Sequence, residues 1–198
     1  MMVKICGITN REDAQAAVDA GATALGFNFW RHSPRYISPT GASLITETLP
    51  PATLKVGVFV DETPDVIAKI ALHANLDVAQ LHGESECPAV RQWRACLVRE
   101  SIDEKFLADL EAEAFLLDTA STELRGGTGR TFRWSLAKDA ARMGKRIVIA
   151  GGLDADNVQT AIAEAQPWGV DSCSRLESSP GRKDHAKMQM FIRAALAA

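Results

Sequence analysis

Two side chains that can exchange protons end short apolar segments far apart in the chain. Cys6 ends the segment VKIC, and Asp118 ends the segment FLLD. An ionised thiol can take a proton and a carboxylic acid can give one, so a fold that joins them could run general acid–base catalysis. Each residue alone is weakly informative, because a cysteine is often a small buried hydrophobe and an aspartate after a strand often caps a helix.

Other polar residues occupy comparable positions. Gln80 and His82 close the segment VAQLH, and Asp171 lies in the last apolar segment, GVDS. Arg35 stands in the proline-containing stretch SPRYIS, where a guanidinium could hold a carboxylate through two hydrogen bonds. The alternative for Arg35 is an ordinary solvated surface arginine.

The last third of the sequence contains a candidate phosphate site. Gly151 and Gly152 follow an apolar segment, and their small size would let backbone amides approach a ligand. Ser174 and Arg175 add a hydroxyl and a guanidinium after the next apolar segment. The alternative for the glycine pair is a tight left-handed turn with no ligand.

The segments that carry these residues read as buried strands. Most are continuously apolar, as expected for parallel strands covered on both faces. Eight such segments occur at nearly even intervals: residues 3–8, 24–29, 55–60, 78–83, 96–101, 114–119, 146–152 and 169–174. Helical patterns are recognisable between them: residues 11–21, 63–76, 103–114, 132–145 and 154–166.

A strand followed by a helix, eight times over, predicts a parallel α/β fold. At this length the prediction is a single (β/α)8 TIM barrel covering residues 1–198. An open doubly wound sheet is the alternative, but no GxGxxG motif follows the first strand. In a barrel the carboxyl ends of the strands converge on one mouth, where the long loops 30–43 and 120–132 would also lie.

Composition excludes several classes of function. The chain has 198 residues, of which 46% are hydrophobic and 24% charged, and its net charge is −3. These values indicate a globular protein with no nucleic-acid or membrane surface. The chain runs directly into a strand, so no signal peptide is expected. Four cysteines, with no CxxC pair and no histidine cluster, predict reduced thiols in a cytoplasmic protein without zinc; Cys87 and Cys96 are interpreted as buried hydrophobes.

An ordered set of motifs spans nearly the whole chain: KICGIT, SPRYIS, VGVFVD, VAQLHG, LLDT, GGTGRTFRW, IAGGLDADNV and GVDSCSRLESSPGRKD. The set resembles the phosphoribosylanthranilate isomerase family of tryptophan biosynthesis. The resemblance implies a (β/α)8 barrel that converts N-(5-phosphoribosyl)anthranilate to 1-(2-carboxyphenylamino)-1-deoxyribulose 5-phosphate by an Amadori rearrangement. This is the third step of the pathway from chorismate, and it needs no metal or cofactor. The expected partner is the phosphosugar substrate alone, and the chain is expected to be a monomer or a homodimer.

The resemblance also implies roles for individual residues. Cys6 would be the general base and Asp118 the general acid, Arg35 would hold the anthranilate carboxylate, and the loops after strands seven and eight would hold the phosphate. The site should therefore lower the pKa of the Cys6 thiol and raise that of the Asp118 carboxyl. Gly7 is expected to leave room around the sulfur of Cys6.

One short stretch departs from the family pattern. The family usually has Val-Ser-Ser-Gly after GVD, whereas this chain has Ser172, Cys173, Ser174 and Arg175. If the glycine is left-handed in the family, arginine there would cost about 1 kcal/mol or more in backbone strain. We therefore expect Arg175 to weaken turnover, and Arg175→Gly to restore it. Another phosphosugar barrel isomerase, such as one acting on the aminoaldose of histidine synthesis, and a barrel that binds without turnover stay open as alternatives.

Overall fold

The computed structural model describes residues 1–98, 107, 111–119 and 134–198. Its main feature is a closed barrel of eight parallel strands in sequential order. The strands are β1 (Met2–Ile5), β2 (Ala24–Asn28), β3 (Leu54–Val60), β4 (Val78–His82), β5 (Arg91–Val98), β6 (Ala114–Thr119), β7 (Ile147–Ile149) and β8 (Gly169–Ser172). Closure confirms the barrel prediction and excludes the open doubly wound sheet.

The barrel closes by pairing the first strand with the last. Met2 lies opposite Gly169 and Ile5 lies opposite Ser172 in the ladder between β1 and β8. The ladder continues one step further, because the Cys6 amide donates to the Ser172 carbonyl at 2.9 Å. Cys6 and Cys173 are therefore neighbours at the carboxyl ends of adjacent strands.

Helices surround the barrel, and their caps are readable in the sequence. The described helices are α1 (Arg11–Asp19), α2 (Pro39–Thr46), α3 (Pro64–His73), α4 (Ser135–Arg142), α5 (Val158–Ala165) and α6 (His185–Leu196). The Asn10, Ser38 and Asp184 side chains cap α1, α2 and α6 by accepting bonds from first-turn amides. No helix within the described ranges is long and apolar enough to cross a membrane.

Three expectations about the elements are corrected. The fifth strand is Arg91–Val98, five residues earlier than the predicted start at residue 96. Residues 83–90 contain no helix, so the strand-then-helix alternation fails between β4 and β5. The predicted loop 30–43 contains the start of α2. The predicted loop 120–132 and, except for Leu107 and residues 111–114, the predicted helix 103–114 lie outside the described residues.

Side chains on β1 to β7 alternate between two apolar clusters. One cluster, which includes Ala14, Ile67 and Val158 of the helices, fills the space between barrel and helices. The other lies inside the barrel; we call it the basal cluster: Met2, Ala24, Val56, Val78, Trp93, Ala114, Leu116, Val148 and Ala150. Inward positions therefore recur every second residue, and the next inward positions along β1, β4 and β6 are polar.

Candidate active site

A cavity of about 310 Å³ opens at the carboxyl ends of the strands. Its lining includes all six residues predicted as catalytic or substrate-binding: Cys6, Arg35, Gln80, His82, Asp118 and Asp171. Strand parity explains five of these positions, since Cys6, Gln80, His82, Asp118 and Asp171 continue the inward series of their strands. The structure thus brings together residues that are widely separated in sequence, while their individual roles stay predictions.

Two glycines leave room for Cys6 and for the side chains beside it. A Cβ at Gly26 would lie 2.8 Å from Cys6 Sγ, closer than real side chains approach, and 3.1 Å from Lys4 Nζ, a tight contact. Gly7 has φ +74°, and a Cβ there would lie 2.8 Å from Arg35 Cδ and 2.9 Å from Cys173 Sγ. Gly26 on β2, which the sequence analysis did not identify, therefore gives the sulfur its space, whereas Gly7 makes room for the neighbours of that sulfur.

The surroundings of Cys6 favour its thiolate form. The pKa of Cys6 is well below its ordinary value, mainly because of a hydrogen bond with Cys173. Burial alone would raise this pKa, but the hydrogen bond and the ammonium groups of Lys4 and Lys183 together outweigh burial. The same bond raises the pKa of Cys173 well above its ordinary value, so Cys173 is the thiol that keeps its proton. The lowered pKa of Cys6 agrees in direction with the expectation for a general base.

A buried ion pair lies beside these thiols. Lys4 is fully buried, and its Nζ donates to Asp171 Oδ1 at 2.9 Å. Burial would lower the pKa of Lys4, but Asp171 and Cys6 raise it above the ordinary value. Burial raises the pKa of Asp171 to about 7, helped by Cys6 and Asp118 and opposed by Lys4. The Lys4 ammonium therefore interacts with two acidic groups, Asp171 and Cys6. We call Lys4, Cys6, Asp118, Asp171 and Cys173 the acid–base cluster.

Arg35 is fixed by a carboxylate that also binds a lysine. Its Nε and Nη2 donate to the two Glu177 oxygens at 2.8 and 2.7 Å. Lys183 Nζ donates to Glu177 Oε1 at 3.1 Å and to the Cys173 carbonyl at 3.1 Å. Burial raises the pKa of Glu177, but Arg35 and Lys183 together lower it below its usual value, so Glu177 is ionised at neutral pH. Glu177 and Lys183 both belong to a short hairpin formed by β9 (Glu177–Ser179) and β10 (Arg182–Lys183).

Gln80 presents an unsatisfied oxygen to the site. Its side chain is almost fully buried, and its Nε2 lies 3.1 Å from His82 Nε2. Its Oε1 is buried and finds no hydrogen-bond partner within the part of the chain that the structure describes. A buried acceptor without a donor costs free energy, so this oxygen is suited to accept a hydrogen bond from a bound molecule.

The predicted phosphate residues line a second, smaller cavity of about 40 Å³. Gly151 and Gly152 have φ of +83° and +69°, a conformation that favours glycine and turns backbone amides toward one side. Ser174 and Arg175 complete the lining, and this cavity shares Asp118, Asp171 and Cys173 with the larger one.

The strain expected at Arg175 is absent. Arg175 lies in a 3₁₀ turn, Ser174–Leu176, and is not among the non-glycine residues with positive φ. Its side chain is half exposed, and its Nε lies 3.6 Å from Asp154 Oδ2. The backbone argument for a weakened phosphate site is therefore wrong for this turn.

Besides Gly26, four polar residues around Cys6 were not assigned to the site from sequence: Lys4, Cys173, Glu177 and Lys183. A signal existed for Lys4, because a lysine between Met2 and Cys6 shares their inward parity. The other three lie after β8, and their place in the site can be recognised only once the closed barrel brings that segment next to β1. Within the described ranges, no group of three or more histidine, cysteine or acidic residues is arranged to hold a metal ion.

Comparison with known proteins identifies the family. The family model described as N-(5'phosphoribosyl)anthranilate (PRA) isomerase matches residues 3–194. This chain belongs to the N-(5'-phosphoribosyl)anthranilate isomerase family. The family resemblance found in the sequence is thereby confirmed, and the function is that of an aldose–ketose type isomerase of tryptophan biosynthesis.

Individual relatives match over their full length. The N-(5'-phosphoribosyl)anthranilate isomerase of Solibacter usitatus is 50% identical, with 100% of this chain and 98% of that protein covered. The crystal structure of phosphoribosyl anthranilate isomerase from Thermotoga maritima has a TM-score of 0.90 and 40% identity, with 100% of both chains covered. A crystal structure of such an isomerase in complex with reduced 1-(o-carboxyphenylamino)-1-deoxyribulose 5-phosphate has a TM-score of 0.87 and 38% identity, again with 100% of both chains covered.

Proposed function

We propose that this chain isomerises N-(5'-phosphoribosyl)anthranilate with Cys6 as the general base and Asp118 as the general acid. The observation that carries this proposal is their shared cavity, in which Cys6 is surrounded by groups that favour its thiolate. A thiolate can take a proton, and a buried carboxyl on the facing strand can give one. Asp118 lies on β6, is almost fully buried and lines the same cavity as Cys6.

The reaction begins with two proton transfers, one from Asp118 and one to Cys6. Asp118 gives its proton to the ribose ring oxygen as the C1′–O bond breaks, which leaves an open-chain Schiff base and a carboxylate. Cys6 then takes the proton from C2′, and the C2′–H electrons form the C1′=C2′ bond of an enolamine while the nitrogen accepts the imine electrons. Return of a proton to C1′ and loss of the O2′ proton give the ketone product.

Two groups in the larger cavity suit the rest of the substrate. The Glu177 carboxylate occupies Nε and Nη2 of Arg35, and the guanidinium carries five N–H donors in all, so its Nη1 side is suited to the anthranilate carboxylate. The orphaned Gln80 Oε1 is suited to accept from the anilino N–H or a ribose hydroxyl. Since a relative binds the reduced product analogue, we expect the same ligand to bind here.

The smaller cavity is suited to the phosphate. Its position at the ends of β7 and β8 is where barrels often bind phosphate. Gly151 and Gly152 can offer backbone amides, Ser174 a hydroxyl and Arg175 a charge at the rim. The overlap of the two cavities at Asp118 and Asp171 is consistent with one substrate spanning both.

A fluorescence assay with the purified chain tests the proposal. We expect it to consume N-(5'-phosphoribosyl)anthranilate, followed as loss of the anthranilate signal, without added metal. The aminoaldose of histidine synthesis is the comparison substrate, and turnover of that compound alone would favour the other isomerase. Binding of the reduced product analogue without any turnover would favour a binding barrel. We expect the reaction to occur in the cytoplasm, where the four free thiols would stay reduced.

A further inference from the structure

Lys4 is a buried charge that the proton transfers above do not use. Its side chain is 0% exposed and lies inside the barrel, one inward position beyond Met2 of the basal cluster. Removing an ammonium from water is costly unless anionic groups compensate it. An apolar side chain would pack here without that cost, so the charge indicates a task in the site above it.

The ammonium of Lys4 lies next to the catalytic sulfur. The same point beside Gly26 is 3.1 Å from Lys4 Nζ and 2.8 Å from Cys6 Sγ. The two atoms are therefore no more than about 6 Å apart, a range in which opposite charges strongly affect each other's ionisation. Lys4 and Cys6 are also separated by a single residue of one strand, so the backbone of β1 fixes this distance.

We propose that Lys4 is a positioning residue for the isomerisation: its buried ammonium holds the Cys6 sulfur as a thiolate and fixes Asp171 at the wall of the cavity. This inference rests on the proposed role of Cys6 as the general base.

Other charged groups also face Cys6, and their partners distinguish them from Lys4. The titratable groups around Cys6 are Lys4 on β1, Arg35 after β2, Asp171 and Cys173 at β8, and Lys183 on β10, and Asp118 on β6 lines the same cavity. Arg35 and Lys183 both bind Glu177, an ionised carboxylate. The carboxyl partner of Lys4 is Asp171, whose pKa is raised to about 7, so it neutralises Lys4 only partly at neutral pH. The Lys4 ammonium is therefore less compensated by its partner than Arg35 and Lys183 are, and it can stabilise the Cys6 thiolate.

The decisive measurement is the titration of Cys6 in Lys4→Met. We expect the midpoint of Cys6 ionisation, followed by thiolate absorbance and by the alkylation rate at Cys6, to rise by about 1 pH unit or more. The acid limb of kcat/KM should move to higher pH by the same amount, because protonated Cys6 cannot act as the base. Below the new midpoint, kcat/KM should fall about tenfold for each such unit.

Two variants serve as controls. Lys55 is another buried strand lysine, paired with Asp77 at 3.4 Å, but at a position of the opposite parity on β3. Lys55→Met should lower stability without moving the Cys6 midpoint. Lys4→Arg keeps the charge and should keep the midpoint below that of Lys4→Met.

The outcomes decide the proposal in each case. A folded Lys4→Met with an unchanged Cys6 midpoint overturns it. If Lys4→Met does not fold, Asp171→Asn is the deciding variant. This change removes the carboxylate that pairs with the Lys4 ammonium, so the ammonium should stabilise the Cys6 thiolate more strongly and the midpoint of Cys6 ionisation should fall. An unchanged or higher midpoint in Asp171→Asn overturns the proposal. The alkylation readout is independent of turnover, so an active Cys6→Ala would reject the general-base role while the influence of Lys4 on Cys6 is still measured.

Discussion

The two ends of the barrel interior are built on the same strands and yet have opposite chemistry. The basal cluster is apolar, and its Trp93 packs edge-to-face against Trp168, with ring centroids 5.7 Å apart. The acid–base cluster, one or two inward positions further along, contains a buried ammonium, two carboxyl groups and two thiols. One end resembles an ordinary core, and the other concentrates charges that an ordinary core would exclude.

The difference shows that two features of a strand, the alternation of its side chains and the distance of a residue from the strand start, determine different properties of a position. Alternation decides that Met2, Lys4 and Cys6 all face inward, and distance from the strand start decides which of them meets the cavity. Substitutions in the basal cluster should therefore change stability, and substitutions in the acid–base cluster should change chemistry.

The largest effect is expected for Cys6→Ala. Removing the base should lower kcat by about 10² to 10⁴, equivalent to about 3 to 5 kcal/mol of transition-state stabilisation, with little change in thermal stability. Cys87→Ala is the matched control, since Cys87 is buried outside the cavity and should keep its kcat. A Cys6→Ala variant with more than half of the original activity would exclude Cys6 as the base.

Asp118→Asn should come next. The amide cannot give a proton to the ring oxygen, so kcat should fall by about 10² or more. The alkaline limb of the pH–rate profile, set by deprotonation of the acid, should also disappear. An unchanged profile would transfer the acid role to Asp171, whose pKa of about 7 allows partial protonation at neutral pH.

Val78→Ala tests the basal cluster. Val78 is 0% exposed on β4, two positions before Gln80, so its truncation should destabilise the fold by about 1.5 to 3 kcal/mol. Denaturant unfolding measures this loss, and kcat at a temperature well below the transition should be unchanged. A large fall in kcat for a fully folded variant would show that the two ends of the interior are coupled.

A smaller effect is expected for Arg35→Ala. A carboxylate contact made in both ground and transition states should raise KM, by about tenfold for a charged hydrogen bond, and leave kcat nearly unchanged. Arg182→Ala, an exposed arginine on β10, is the comparison and should leave KM unchanged. An unaltered KM in Arg35→Ala would show that Arg35 binds Glu177 and does not contact the substrate.

The smallest effect is expected for Arg175→Ala. The side chain is half exposed, so loss of its charge should weaken inhibition by inorganic phosphate only a few-fold. Without backbone strain at this position, Arg175→Gly is also expected to weaken phosphate binding rather than improve it. Tighter phosphate binding in either variant would show that the arginine obstructs the site.

The sequence predicted the barrel and placed six of the cavity-lining residues at its mouth because those inferences use local signals. Continuous apolar runs marked β2, β3 and β6 within a residue or two, and polar residues at strand ends marked Cys6 and Asp118. The fifth strand was misplaced because the first half of its segment, RQWR, contains two arginines and a glutamine, and the apolar run begins only at Ala95.

The polar contacts inside the site could not be predicted, because they join segments far apart in the chain. Arg35 was assigned to the substrate without its bidentate partner Glu177, which lies 142 residues later. The role of Gly26 likewise depends on the atoms of β1 that pack against it. Such pairings are properties of the closed barrel, and no local pattern encodes them.

The ladder between β1 and β8 also sets the order in which the protein can acquire its chemistry. Lys4 and Asp171 are 167 residues apart, so their ion pair forms only when the ends of the chain meet. Closing so long a loop is entropically costly, and contacts of this kind form slowly. During synthesis from the amino terminus, Cys6 emerges early and Asp171 near the end of the chain. The thiol therefore lacks its Asp171 and Cys173 neighbours until β8 has been synthesised, and closure of the barrel completes the surroundings of Cys6.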